Sequence, residues 1–196
     1  MAISYPLSLP TSIGIESIEL RAVNAVATSQ SPFTYKQQIV AHQGQRWEAS
    51  ISVASNIRRD LAAPWKAFLT ALKGQQGTFL LGDPDYVTPQ GDVSACTLTG
   101  SVGDESVTVT MTGSLLAGDY IQLGSGASAR LHQVLQDQTG NGTLEIWPKL
   151  RDDYTSATVI FNNAKGVFRL TNNISSWSIN NSSAYGIGFE AVEAIV

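Results

Sequence analysis

The chain has 196 residues, a formal net charge of −4 and 14% charged residues against 43% hydrophobic ones. That is enough apolar material for a core, and the absence of a basic block argues against a phosphate-gripping nucleic-acid binder. One cysteine cannot close an internal disulfide, and with two histidines it cannot complete a zinc cage. The opening segment reads as neither a signal peptide nor a membrane span, so synthesis in a cytoplasm is expected. Ser, Thr, Asn, Gln and Gly replace the missing charges. Such a surface suits a protein packed against neighbours, because uncharged polar groups are cheaper to desolvate than ions, and equally a turn-rich β protein.

In chain order, residues 15–23 alternate, with Ile18, Leu20 and Ala22 facing one way and Glu19 and Arg21 the other, which predicts a half-buried strand. The stretch SPFTYKQQIVAHQGQRWEASISV, residues 31–53, reads as two strands joined by a Gln-Gly turn. In the second of these, Trp47, Ala49, Ile51 and Val53 share one face and Arg46, Glu48, Ser50 and Ser52 the other. A helix is predicted at about residues 60–73, where Leu61, Trp65, Phe68, Leu69 and Leu72 form one stripe. Asp60 is expected to cap it, Pro64 to sit at the edge of its first turn, and Lys73 and Gly74 to end it. Residues 77–85 form a short apolar strand and a turn.

From Tyr86 the texture changes to short strands between Gly, Asp and Ser turns, at 95–99, 106–112, 119–123, 130–135, 143–147 and 158–161. Longer strands return at 166–170, 175–180 and 186–196, the last alternating Phe189, Ala191 and Val192 with Glu190 and Glu193. The expected architecture is mainly β. An outer β-sandwich with one packed helix takes residues 1–84 and 166–196, and a small β-barrel or β-sandwich of residues 85–165 is inserted into it.

No catalytic, cofactor or metal grouping stands out. His42 and His132 lie in predicted strands without a nucleophile beside them. Asp83 and Asp85 flank Pro84, and Asp152 and Asp153 are adjacent. Such pairs can hold calcium or move protons, but a Gly-Asp-Pro-Asp turn uses Asp for local hydrogen bonds. LGSGAS at 123–128 lacks the Lys and the following helix of a phosphate loop and reads as a hairpin loop. Trp47, Trp65 and Trp177 are expected in the core, and Trp147 to cover the base of the inserted unit or dock on the outer one. Tyr86, Tyr120 and Tyr154 are the candidates for a sugar platform. Asn-x-Ser/Thr triplets at Asn141, Asn173, Asn180 and Asn181 read as chance in an Asn/Ser-rich chain.

Three blocks carry a resemblance: the 31–53 segment with its Ser-Pro-Phe-Thr start and Gln-Arg-Trp-Glu strand, DLAAPWKAFLTALKGQQGTFLLGDP, and AGDYIQLGSGASARLHQVL with TLEIWPKLR and the later GVFRL. Together they resemble the distal tail proteins of long-tailed bacteriophages, the Dit family. The resemblance implies a structural virion protein with no enzyme activity, at the distal end of the tail. It implies a homo-hexameric ring that joins the tail tube protein to the hub and tip proteins and lets DNA pass. Some of Glu16, Glu19, Glu48, Glu190 and Glu193 are then expected to face the channel. The alternative is a carbohydrate-binding, host-adhesion module carried by residues 85–165. A hydrolase would need His42 or His132 beside carboxylates.

Overall fold

The computed structural model describes residues 3–181 and 184–195. It is mainly β, with antiparallel sheets and, among those residues, one α-helix. The first elements are β1 (Ile15–Gln30), β2 (Gln37–Ile57), α1 (Arg59–Ala71) and β3 (Phe79–Leu81). There follow β4 (Ala95–Gly100), β5 (Ser106–Thr112), β6 (Ser114–Leu115), β7 (Tyr120–Leu123), β8 (Arg130–Val134), β9 (Gln138–Thr139), β10 (Gly142–Trp147) and β11 (Tyr154–Thr158). The chain ends on β12 (Gly166–Leu170), β13 (Trp177–Ile179) and β14 (Tyr185–Glu193). Val196 lies outside the described residues, as do Ser182 and Ser183 of the Asn180 and Asn181 triplets.

The first sheet has the order β1-β2-β14-β12-β3, with β13 also on β14. Its inner face follows the period-two pattern of β2, where Trp47, Ala49, Ile51 and Val53 are all buried. Helix α1 covers that face with Trp65, Phe68 and Leu69, joined by Leu72 just past its end, and Phe68 meets Phe79 edge-on at 5.4 Å. Burying an apolar side chain of this size contributes roughly 1.5–3 kcal/mol, which a lone helix of this length needs from its sheet. Ile18 and Leu20 of β1 pack at the margin of this core, whereas Ala22 is exposed.

The segment 31–53 is not a hairpin about Gln43-Gly44. β2 is one strand of 21 residues, and the hairpin turn is at 31–36, between β1 and β2. The pairing steps from Asn24↔Gln45 to Val26↔Ala41, so the Gln-Gly pair is absorbed as a bulge. A Cβ on Gly44 would sit 3.1 Å from the Ala25 side chain, which explains why glycine suits the bulge.

The helix also starts earlier than the sequence suggests. Arg58 is the residue before its first turn, with no side-chain cap, so Asp60 lies inside the first turn and does not cap it. Pro64 consequently falls within the helix. The last turn carries no basic residue, because Lys73 has already left the helix at φ 52°, followed by Gly74 at φ 68°. A Cβ on Gly74 would stand 2.8 Å from the Asn173 backbone, so glycine is needed there twice over.

The second sheet runs β11-β4-β5-β10-β8-β7, with β6 and β9 as a separate ribbon. Leu98, Val107, Val109, Leu123 and Leu144 are among the residues of its own core. The strand expected at 158–161 is shifted: Tyr154–Thr158 pairs with β4, while the apolar run beyond it plugs Val159 into the core and bridges Ile160 to Gln122 of β7. Leu81 at the end of β3 pairs with Gly166 at the start of β12. The chain therefore leaves the first sheet and re-enters it at neighbouring positions.

Candidate assembly surfaces

Three features stand out: a polar seam between the two sheets, a projecting hairpin, and the outer face of the first sheet.

The seam is built where β10 and the segment after it meet β2 and β14. Trp147 stands edge-on to Trp47 at 4.5 Å, and its Nε1 donates to Asn24 Oδ1 at 2.8 Å. Trp147 thus docks on the first sheet, one of the two positions expected for it. The Trp47 indole donates to the Leu131 carbonyl at 3.0 Å. Arg151 donates to the Gln45 carbonyl and pairs with Glu193 at 3.2 Å. Gln45 accepts from the Lys149 backbone at 2.8 Å through its side-chain oxygen and donates to Glu105 at 2.7 Å. Glu193 was expected on the polar face, yet it is buried. Strand parity explains this: residues 185, 187, 189, 191 and 193 share the inner face, so Glu193 faces inward and needs the Arg151 guanidinium.

His132 lies in the same region, fully buried. Its Nδ1 donates to the Pro148 carbonyl at 2.7 Å, and its Nε2 has no hydrogen-bond partner among the described residues. Burial, with the nearby Arg151 and Arg130 charges, lowers its pKa to about 4. His42 is exposed on the hairpin, far from any such setting. Sequence reasoning missed Gln45 and Arg151 in the seam. It also missed Asp119, a buried carboxylate that accepts backbone N–H groups of Gln90, Gly91 and Leu116 and ties the chain after β3 to the β6–β7 turn. Its only sequence signal is a Gly-Asp turn before a strand.

The hairpin is the outer half of β1 and the first half of β2. Every residue from 24 to 44 is exposed except Ser31, which is half-buried. Phe33 is 92% and Tyr35 74% exposed, and Val26, Ile39 and Val40 are exposed as well. The turn is nevertheless ordered by its own bonds. Ser31 N donates to Lys36 O at 3.0 Å, Tyr35 N donates to Ser31 O at 2.9 Å, and Ser31 Oγ accepts from Phe33 and Thr34. A turn so closed presents its aromatic tip at little further entropic cost.

The outer face of the first sheet carries Glu19, Arg21, Arg46, Glu48, Ser50 and Glu190. Cross-strand pairing sets Ser50 between Glu19 and Glu190, and Arg21 opposite Glu48. Arg46 pairs with Glu48 at 2.6 Å and Arg21 with Glu19 at 3.5 Å, while Arg169 of β12, opposite Val192 and between the inward Phe168 and Leu170, is on the same face with no ion pair among the described residues. Glu16 is exposed at the start of β1.

The remaining sequence candidates are scattered. Asp83 accepts from the backbone of Asp85 at 3.0 Å, a local turn, and Asp153 accepts from Val102 at 2.8 Å. Asp152 is exposed in the loop before β11. No group of three or more His, Cys, Asp or Glu residues among the described residues is placed to hold a metal. The 123–128 segment is the last residue of β7 followed by the loop of the β7–β8 hairpin. Burial pushes the Cys96 thiol up to about 11, which keeps it protonated near neutrality.

Trp177 is not a core residue. It is 40% exposed on the short strand β13, with the Lys66 ammonium 5.8 Å from its ring. Tyr86 and Tyr120 meet edge-on at 5.3 Å, with the Tyr86 hydroxyl donating to the Tyr120 carbonyl. Burial raises the pKa of both phenols. Tyr154 packs against the other core, so the three rings form no common platform.

Among the described residues no helix is long and apolar enough to cross a membrane. Compared with known proteins, the chain matches no family model, and no curated protein is significantly similar to it.

Proposed function

We propose that the chain is a structural ring subunit of the distal tail class, a phage virion component that joins the tail tube to the hub and tip. One observation carries the assembly part of this reading. A compact monomer of 20.9 kDa is expected to expose about 9,000 Å², whereas this chain exposes 10,780 Å². The excess is about 1,800 Å², comparable to what two interfaces of roughly 800 Å² per partner would cover on one subunit.

In this reading the strands of 1–84 and 166–196 form the ring unit, a sheet under a helix in the manner of a tube protein. Residues 85–165 are an inserted barrel. The Ile160 bridge to Gln122, which joins the ends of the second sheet, supports the barrel description. The outer face of the first sheet lines the channel. Arg21 and Arg46 are already paired with carboxylates there, and with Arg169 they are matched by Glu19, Glu48 and Glu190, so the face offers DNA phosphates no net positive charge to grip. The named partners are a second copy of the chain, a tube protein and a hub protein.

The test is the purified chain's mass in solution, followed by a density map of the assembled particle. A six-fold ring with Glu19 and Glu48 on the channel wall is the expected result. A chain that stays monomeric at every concentration, or a channel dominated by Lys and Arg, overturns the proposal. Binding on a glycan array without self-association would move the function to the carbohydrate-binding reading.

A further inference from the structure

We propose that the exposed hairpin is a docking arm whose tip seats in a recess on the next copy of the chain. The proposal deepens the ring reading, and rests on it.

The recess lies beyond β14, on the side where that strand changes partners. β13 pairs with Tyr185–Ile187 and β12 with Ala191–Glu193, leaving Gly188, Phe189 and Glu190 paired with β2 alone. The gap opens into a cavity of about 400 Å³, within the range of pockets that hold a small ligand or a few side chains. Its apolar lining includes Leu69, Leu170, Ile174 and Phe189, and its one charged lining residue is Glu190. Ile174, at its mouth, is 80% exposed. The Glu190 side chain has no ion-pair or hydrogen-bond partner among the described residues.

The arm offers the complement. Residues 24–44 contain one charged side chain, Lys36, immediately after the exposed pair Phe33 and Tyr35. Aromatic rings are the side chains that most often anchor an interface, and a lysine beside them answers a lone carboxylate. The size also fits, because 21 residues is close to one side of a standard interface.

The occupant is a second copy for a geometric reason. Nine strand residues, 37–45, separate Arg46, at the edge of the body, from Lys36, which carries the tip on the order of 30 Å outward. The recess is bounded by Ser50 and Ser52 of β2 itself, on the body side of that span. The arm therefore points away from its own recess. A contact of this kind joins two different surfaces of one chain, and repeated with closure it makes a ring.

The experiment uses the full chain and sedimentation over a range of concentrations, with circular dichroism to confirm folding. Phe33→Ser combined with Tyr35→Asn is expected to weaken self-association about tenfold or more. Asn is chosen because Tyr35 has φ 55°, a region Asn tolerates. Lys36→Glu and Glu190→Lys should each weaken association, and the two together should restore most of it. A double charge swap no better than either single change overturns the arm-in-recess contact, as does a tip variant that associates like the parent chain. If the parent forms a six-fold ring and these variants do too, the contact falls and the ring stands. If the parent is monomeric throughout, both fall.

Discussion

Arg151 and Glu193 form an ion pair 3.2 Å long in which the two side chains retain 14% and 3% of their accessibility. One belongs to the segment after β10 in the second sheet, the other to the end of β14 in the first. Glu193 also accepts the Trp47 backbone N–H at 3.1 Å, so a single carboxylate joins β2, β14 and the second sheet's flank. Breaking such a pair from one side leaves a buried charge. Arg151→Met should lower stability in urea unfolding at neutral pH by about 3–5 kcal/mol, and Arg151→Met with Glu193→Met should cost less than Arg151→Met alone. A single variant within about 1 kcal/mol of the parent would mean that water reaches the carboxylate.

His132 gives the stability a pH dependence of known sign. Its folded pKa, about 4, lies below the ordinary 6.5, because burial disfavours the cation and Arg151 and Arg130 oppose it. Between those values the unfolded chain binds the proton and the folded chain does not. Stability should therefore fall as pH drops from 6.5 toward 4, by on the order of 3 kcal/mol in all. Carboxylates titrate in the same window, so the measurement is a difference: His132→Gln should show a shallower loss between pH 7 and pH 4.5. Parallel profiles for the two proteins would remove His132 as the cause.

Trp65 is 1% exposed under the helix, with its indole donating to the Ile13 carbonyl at 3.2 Å. Trp65→Ala opens a cavity between α1 and the sheet and leaves that carbonyl without its donor. The expected loss is roughly 3–5 kcal/mol by chemical denaturation. Melting within a degree or two of the parent would place Trp65 outside the core.

The features visible in the sequence are those set by local periodicity. The inner face of β2 and the helix stripe follow from spacing alone. The misread features involve partners that periodicity does not reveal. Gln43-Gly44 looks like a turn, but β1 is long enough to pair past it, and the true turn is the Ser-Pro-Phe-Thr segment. Neither strand of the 24–44 arm alternates like a core strand, which is the signal that would have marked it as projecting. Trp177 reads as a core residue on the apolar face of a predicted strand, yet β13 is a three-residue edge strand with all its residues exposed. Glu193 reads as outward beside Glu190, but its parity puts it inward with Ala191. Its partner is 42 residues away, and only the tertiary fold brings them together.

Residues 85–165 should be removable without unfolding the first sheet. The pairing of Leu81 with Gly166 means that a short Gly/Ser linker replacing them has little distance to span. The first sheet and α1 keep their mutual contacts in such a variant, so a folded product is expected. It will not be as stable as those contacts alone suggest, because the excised part contributes Leu131, Trp147 and Ala164 to the core of the first sheet. Trp47 loses Trp147 and its carbonyl acceptor, and Glu193 loses Arg151. Adding Glu193→Thr to the excision removes the stranded carboxylate, and Trp47→Thr removes the uncovered indole. The doubly repaired variant should therefore be more soluble and show a sharper unfolding transition than the plain excision. Near-ultraviolet circular dichroism and urea unfolding read both. Insoluble product from several linker lengths, with and without the repairs, would show that the first sheet depends on the second to fold.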